Sequence, residues 1–154
     1  MVYVLYFYLG NIYKEFSNIE SAKQEFQKVL EISPDYSWAY YNLAVIDYEE
    51  GNLISSQENL QKTIELNPLD SEAYKILAKI FAKNNDVESA IANIDNAIEN
   101  CSNIGDLYYL RYQICMHFNK EELALESINK AIENEQTLSV SINLLKKQQK
   151  KLSK

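Results

Sequence analysis

One step of 34 residues governs this chain. Tyr6, Tyr40, Tyr74 and Tyr108 are each 34 apart, Leu9, Leu43, Leu77 and Arg111 follow at the same interval, and so do Pro34 and Pro68. Self-similarity at that period marks an array of small units, none of which can bury its apolar face alone. Within the unit around Trp38, apolar residues fall at helical spacing from Tyr40 to Tyr48 and again from Leu53 to Leu66, with Gly51 and Asn52 between them as stop and restart. Each unit is therefore expected to be two antiparallel helices. The phase places units at about 3–36, 37–70, 71–104 and 105–138 and a single closing helix at about 139–152. Individual helices are expected at about 37–50, 53–66, 71–84, 87–100, 105–118 and 121–135, with turns at Ser17 and Asn18, at Asn84, Asn85 and Asp86, and at Asn119.

The recurring residues define the unit further. The first carries Tyr6, Leu9, Gly10, Tyr13, Ala22, Phe26, Val29 and Pro34; the second keeps Tyr40, Leu43, Ala44, Leu60 and Pro68 but has Asp47, Ser56 and Thr63 at three of these places. The third carries Tyr74, Leu77, Ala78, Phe81, Ala90, Ile94 and Ala97, with Ser102 at the proline position. In the fourth, Tyr108, Ala124, Ile128 and Ala131 fit, while Tyr112 replaces the small residue, Cys115 the aromatic and Gln136 the proline. This pattern resembles the tetratricopeptide repeat over Tyr3 to Leu138. The resemblance implies an all-α, right-handed α-solenoid of four helix pairs plus a C-terminal capping helix, forming one domain over residues 1–154. It also implies a protein–protein interaction scaffold or adaptor rather than an enzyme.

Part of that pattern has a direct physical reading. Gly10, Ala44 and Ala78 sit inside first helices, where glycine costs about 0.5–1 kcal/mol relative to alanine, so a small residue is expected only where the second helix packs closely. The bulky Tyr112 is expected to push the fourth pair apart. Pro34 and Pro68 end second helices, because proline cannot continue a helix and biases its predecessor toward extended backbone.

The net charge of −7 hides an asymmetry: Lys146, Lys147, Lys150, Lys151 and Lys154 contribute +5 with no acid after residue 145, so the first 145 residues carry −12. An acidic body disfavours binding to nucleic acid or to an anionic membrane, and the lysines read as a solvated helix face that caps the array. Two cysteines, Cys101 and Cys115, make no disulfide framework in a chain of 154 residues, which fits a reducing, cytoplasmic compartment. Cys115 reads as a small buried hydrophobe and Cys101, at a helix end, as the more exposed of the two. The opening MVYVLYFYLGNIY has no basic flank, is short for a membrane span, and is in phase with the later repeats, so it reads as a repeat helix. That helix lacks a preceding cap, as expected if the array continues upstream.

No catalytic, cofactor or metal constellation emerges. Gly10, Gly51 and Gly105 are too scattered for a phosphate-cradling loop, and Cys115 and His117, two apart on a helix, project about 200 degrees apart and cannot share a metal. The resemblance instead implies a concave face built by the first helices. Carried over position by position, it comprises Val4, Phe7, Asn11, Lys14 and Glu15; Trp38, Tyr41, Val45, Tyr48 and Glu49; Glu72, Lys75, Lys79, Ala82 and Lys83; and Asp106, Tyr109, Gln113, Met116 and His117. Trp38, Tyr41 and Tyr48 exceed what the repeat pattern needs, and Lys75, Lys79 and Lys83, four apart, form a basic ridge. A protein or peptide partner bound there, through Phe7, Asn11, Trp38, Tyr41, Val45, Tyr48, Lys75, Lys79, Lys83 and Tyr109, is the expected function. The alternative is a self-assembly module that stacks through its uncapped first helix. Some family members clamp the terminal carboxylate of heat-shock chaperones with lysine, arginine and asparagine. Here Asn11 and Asn42 are kept, but Phe7, Glu72 and Ile76 replace the cations, so that ligand is not expected.

Overall fold

The computed structural model describes residues 2–152, and all regular structure among them is helical. Met1, Ser153 and Lys154, the last of which is part of the lysine-rich end, lie outside the described residues. The chain divides into two compact units, residues 1–67 and 68–154. The first holds α1 (Val2–Glu15), α2 (Ile19–Ile32), α3 (Ser37–Glu50) and α4 (Leu53–Leu66). The second holds α5 (Ser71–Lys83), α6 (Val87–Asn100), α7 (Ile104–His117), α8 (Glu121–Glu133), a 3-10 turn (Glu135–Thr137) and α9 (Ile142–Leu152). Among the described residues no helix is long and apolar enough to cross a membrane.

The turn within each helix pair is one construction used four times. Ser17, Gly51, Asn85 and Asn119, each 34 residues from the next, all have positive φ, between 56° and 83°. In every case the following N–H reaches back to the carbonyl five residues earlier: Asn18 to Tyr13 at 2.8 Å, Asn52 to Asp47 at 2.8 Å, Asp86 to Phe81 at 2.9 Å and Lys120 to Cys115 at 2.8 Å. With the shorter bonds Ser17 to Lys14, Gly51 to Tyr48, Asn85 to Ala82 and Asn119 to Met116, this is the Schellman closure, in which a left-handed residue lets the last carbonyls of a helix find partners. The residue after it then opens the next helix. Asn18 and Asp86 accept the N–H of Ser21 and Ser89 with their side chains, at 3.3 and 3.0 Å. The hydrogen bonds from Ser89 hold the Asp86 carboxyl below its ordinary pKa.

In the first unit, Ala22, Phe26 and Val29 of α2 meet Ala39, Leu43 and Ile46 of α3, and Tyr3, Tyr6, Phe7 and Tyr13 of α1 close over them. Gly10 explains how α1 approaches: a Cβ there would lie 2.7 Å from the Phe26 ring, inside any real contact distance. The polar replacements of the second repeat are satisfied in place. Asp47, where an aromatic would be usual, is buried and accepts from Lys23 at 2.9 Å, from Ser55 Oγ at 2.6 Å and from Asn59 at 3.3 Å. Lys23 continues to Glu50 at 2.6 Å, so α2, α3 and α4 share one polar cluster. Burial opposes the Lys23 charge, but its hydrogen bonds to Glu50 and Asp47 outweigh that and raise its pKa. Ser56 and Thr63 fit where alanine would because each hydroxyl donates to a helix carbonyl, Ala44 at 2.7 Å and Asn59 at 2.9 Å.

In the second unit, Tyr112, Cys115, Ala124, Ile128, Ala131 and Leu145 form the core around α7, α8 and α9. Tyr112 does not push its pair apart. It is buried and stacks on Tyr109 with centroids 5.9 Å apart, while the thiol of Cys115, fully buried, takes the place of an aromatic ring one turn later. A large-for-small change is thus balanced by a small-for-large one, which cores tolerate when volume is kept. Arg111, at the leucine position, is also buried: it pairs with Asp95 at 3.0 Å and donates to Ser127 Oγ at 2.9 Å, which in turn donates to the Leu123 carbonyl.

Two expectations need correction here. The closing helix starts at Ile142 rather than near 139, because the N–H and the hydroxyl of Ser139 both donate to Asp106, at 2.7 and 2.9 Å, and hold the chain out of helix. Of its three leucines, Leu145 is fully buried and Leu152 packs on the core, whereas Leu144 points outward, 44% exposed. Cys101 is not the exposed thiol of the two: it is buried, with Sγ 3.9 Å from the Pro68 carbonyl oxygen. Burial raises the pKa of both thiols. Both cysteines are therefore expected to react with a thiol reagent far more slowly in the native protein than in urea. Rapid native labelling of Cys101 would show that the packing against Pro68 is wrong.

Candidate functional site

Of the twenty positions assigned to the concave face, none is buried, although they alternate along α1, α3, α5 and α7 with residues that are. In the first unit Trp38 is half exposed and meets Tyr41 edge-on, with centroids 6.1 Å apart at 85°. Val45 and Tyr48 are half-buried further along α3. Phe7 is turned more to the core than to solvent, packing on Tyr36 at 5.2 Å and on Phe26 at 5.9 Å. The asparagines are bound to their own helices: Asn11 donates to the Phe7 carbonyl at 3.1 Å and Asn42 to that of Trp38 at 2.8 Å. The Asn42 amide oxygen also accepts from Lys14, which ties α1 to α3. Neither amide is offered to a ligand.

In the second unit Lys75 and Lys79 of α5 and Asp106, Tyr109, Leu110 and Gln113 of α7 come together with Ser139 and Val140 around a recess of about 210 Å³. Tyr109, fixed by its stack on Tyr112, and the buried Leu110 make its apolar part. The charge is more mixed than a bare lysine ridge. Lys75 pairs with Glu72 at 2.8 Å, and the Asp106 carboxylate is already held by Ser139. Lys79 is exposed at the rim, and Lys83, also exposed, does not line the recess. Ser139 and Val140 were not legible as site residues, since they belong to the link before α9 and reach the recess only because Asp106 draws Ser139 in. Larger hollows at residues 51–58 and 119–123 are each bordered by one turn and one helix start, and bring no second element to bear. Among the described residues no group of three His, Cys, Asp or Glu side chains is placed to hold a metal ion.

The tetratricopeptide-repeat family pattern matches residues 15–80, spanning the first two of the repeated turns. The chain is built of tetratricopeptide repeats. Solved structures of the same fold extend the likeness beyond those residues. MamA superposes with a TM-score of 0.77 at 19% identity, covering 87% of this chain and 78% of its own. YrrB, described as a TPR protein with an unusual peptide-binding site, does so with a TM-score of 0.73 at 23% identity, covering 93% of this chain and 73% of its own. The N-terminal domain of stress-induced protein-1 (STI-1) from C. elegans covers 64% of this chain and 84% of its own, with a TM-score of 0.60 and 21% identity. No curated protein matches in sequence. These tetratricopeptide repeats thus belong to the α-solenoid class, and at such identities the likeness is one of fold.

Proposed function

We propose that the chain is a protein-interaction module that captures an extended segment of a partner bearing apolar and acidic side chains. The recess between α5 and α7 is its docking point, and Trp38 and Tyr41 are an apolar anchor on the first unit. The observation that carries this reading is the convergence of Lys75, Lys79 and Tyr109 on one concavity, next to a rigidly stacked aromatic pair. Aromatic anchors in desolvated pockets dominate such contacts, and truncating one costs about 2 kcal/mol or more, roughly thirtyfold in affinity. An exposed ion pair contributes about 0.2–1 kcal/mol and is screened by salt. Tyr109 and Trp38 therefore set affinity, and Lys79 the salt dependence.

Trp38 is the single tryptophan, so its fluorescence reports binding directly. Panels of short peptides combining leucine or phenylalanine with glutamate, titrated against the protein, are expected to include members that shift the Trp38 emission to the blue. Tyr109→Ala weakens those peptides roughly thirtyfold with helicity retained. Lys79→Glu weakens them up to about fivefold at low salt and little at high salt. Peptides that bind both variants as they bind the unaltered protein would rule out the recess. The described surface holds no convergent acid, base and nucleophile set, and the module is read as non-enzymatic.

A further inference from the structure

We propose that two copies of this chain pair through α1, forming a two-fold dimer in which the stripe Leu5, Tyr8 and Ile12 of one copy lies on the same stripe of the other. The recess between α5 and α7 plays no part in this argument. The four repeats place isoleucine at the same phase, at Ile12, Ile46, Ile80 and Ile114. Ile46, on α3, is 1% exposed because α2 covers it, and Ile114, on α7, is 5% exposed where α7 packs on α6. Ile12 is 47% exposed. The same holds for the positions around it: Ala39 and Leu107 are fully buried, and Leu5 at their phase is 67% exposed. The outer side of α1 is thus the same type of surface that receives a helix elsewhere in the chain. Val2 and Phe16 extend it at either end, 57% and 79% exposed.

The occupant follows from what else the chain presents. Among the described helices α1 alone carries several large exposed apolar side chains; α2, α3, α4, α7 and α9 carry one each. The last second helix, α8, offers no open face for head-to-tail stacking, because Leu145 and Leu152 of α9 lie over its core and Lys146, Lys147, Lys150 and Lys151 are exposed. The surface that matches the α1 stripe is therefore another α1. The stripe bears no charge, so two copies meet there without the repulsion that their acidic bodies exert elsewhere. A patch that matches itself gives a closed two-fold pair rather than a filament, and an antiparallel crossing also opposes the two helix dipoles favourably. A helix of 14 residues is about 21 Å long. That limits the interface to the small end of the range for specific dimers, so the pair dissociates at micromolar concentration.

Sedimentation equilibrium of the full 154-residue chain, from micromolar to submillimolar concentration, is expected to show the mass rising from one chain to two and stopping there. Leu5→Glu with Ile12→Glu removes the rise while helicity by circular dichroism is kept. Tyr8, near the middle of α1 and 62% exposed, lies close to the two-fold axis, so Tyr8→Cys is expected to give a covalent dimer with a short bismaleimide. The buried Cys101 and Cys115 give none in the unaltered chain. A unaltered chain that stays monomeric throughout overturns the proposal, as does growth past two chains or pairing that survives the double substitution. Should that double variant unfold, the Tyr8→Cys cross-link decides alone, and its absence overturns the proposal.

Discussion

Phe26→Ala is expected to destabilise the first unit by about 3–5 kcal/mol, the usual cost of emptying a fully buried aromatic site. The estimate sits at the high end for a structural reason. The ring fills the space that Gly10 leaves open in α1, and with no side chain at Gly10 nothing on that helix can move in to replace it. Ala22, one turn earlier on α2, is equally unable to fill the gap, and Phe7 is held on its other side by Tyr36. The cavity therefore stays, and α1 loses the contact that sets its closest approach. Urea unfolding followed by circular dichroism measures the loss. A change below about 1 kcal/mol would mean that α1 can settle onto α2 without the ring, and that the close approach at Gly10 is not a real constraint.

Gly105→Ala is the second large effect, and simple propensity predicts the opposite sign. Inside a helix, alanine is favoured over glycine by about 1 kcal/mol. At Gly105, in the first turn of α7, the added Cβ would stand 2.5 Å from the Asn134 carbonyl oxygen and 2.8 Å from Thr137 Oγ1. The first of these is backbone at the end of α8 and cannot swing aside. The Gly105 N–H itself donates to Thr137 Oγ1 at 2.7 Å, and the next residue, Asp106, holds Ser139. Moving Asn134 away thus loosens the whole link that seats α9, including Leu145 in the core. Overpacking of this kind costs about 1–3 kcal/mol, so a net destabilisation is expected in spite of the propensity gain. Hydrogen exchange is expected to show α9 amides losing protection before those of α7. A stabilised protein with α9 protection unchanged would contradict the close contact.

The helix pattern was legible because each boundary is set by local chemistry repeated in phase: α3, α4 and α6 begin and end where glycine, asparagine and proline interrupt the apolar spacing. What was not legible depends on partners from other helices. Asp47 looks like a defect in the second repeat until Lys23, Ser55 and Asn59 are seen around it, and Arg111 looks misplaced until Asp95 and Ser127 are. A pattern of apolar positions registers only that a polar residue stands there, whereas its cost is decided by whether its hydrogen bonds are met. The candidate site divides in the same way. Lys75, Lys79 and Tyr109 could be placed by phase alone, but the pairing of Lys75 with Glu72, the inward turn of Phe7 and the arrival of Ser139 and Val140 could not.

The turns carry a consequence for how such a chain can change. Asn18, Asn52, Asp86 and Lys120 each finish the closure of one helix and immediately precede the next, so no residue in the turn is spare. Deleting one would remove the left-handed position or the long bond behind it, and adding one would rotate the second helix by about 100 degrees and turn its apolar side to water. Substitution is therefore open at these turns, as serine, glycine and asparagine at the same place attest, but a change of length is not. Lengthening or shortening that preserves every turn must come in whole blocks of 34 residues, by duplication or loss of a complete helix pair.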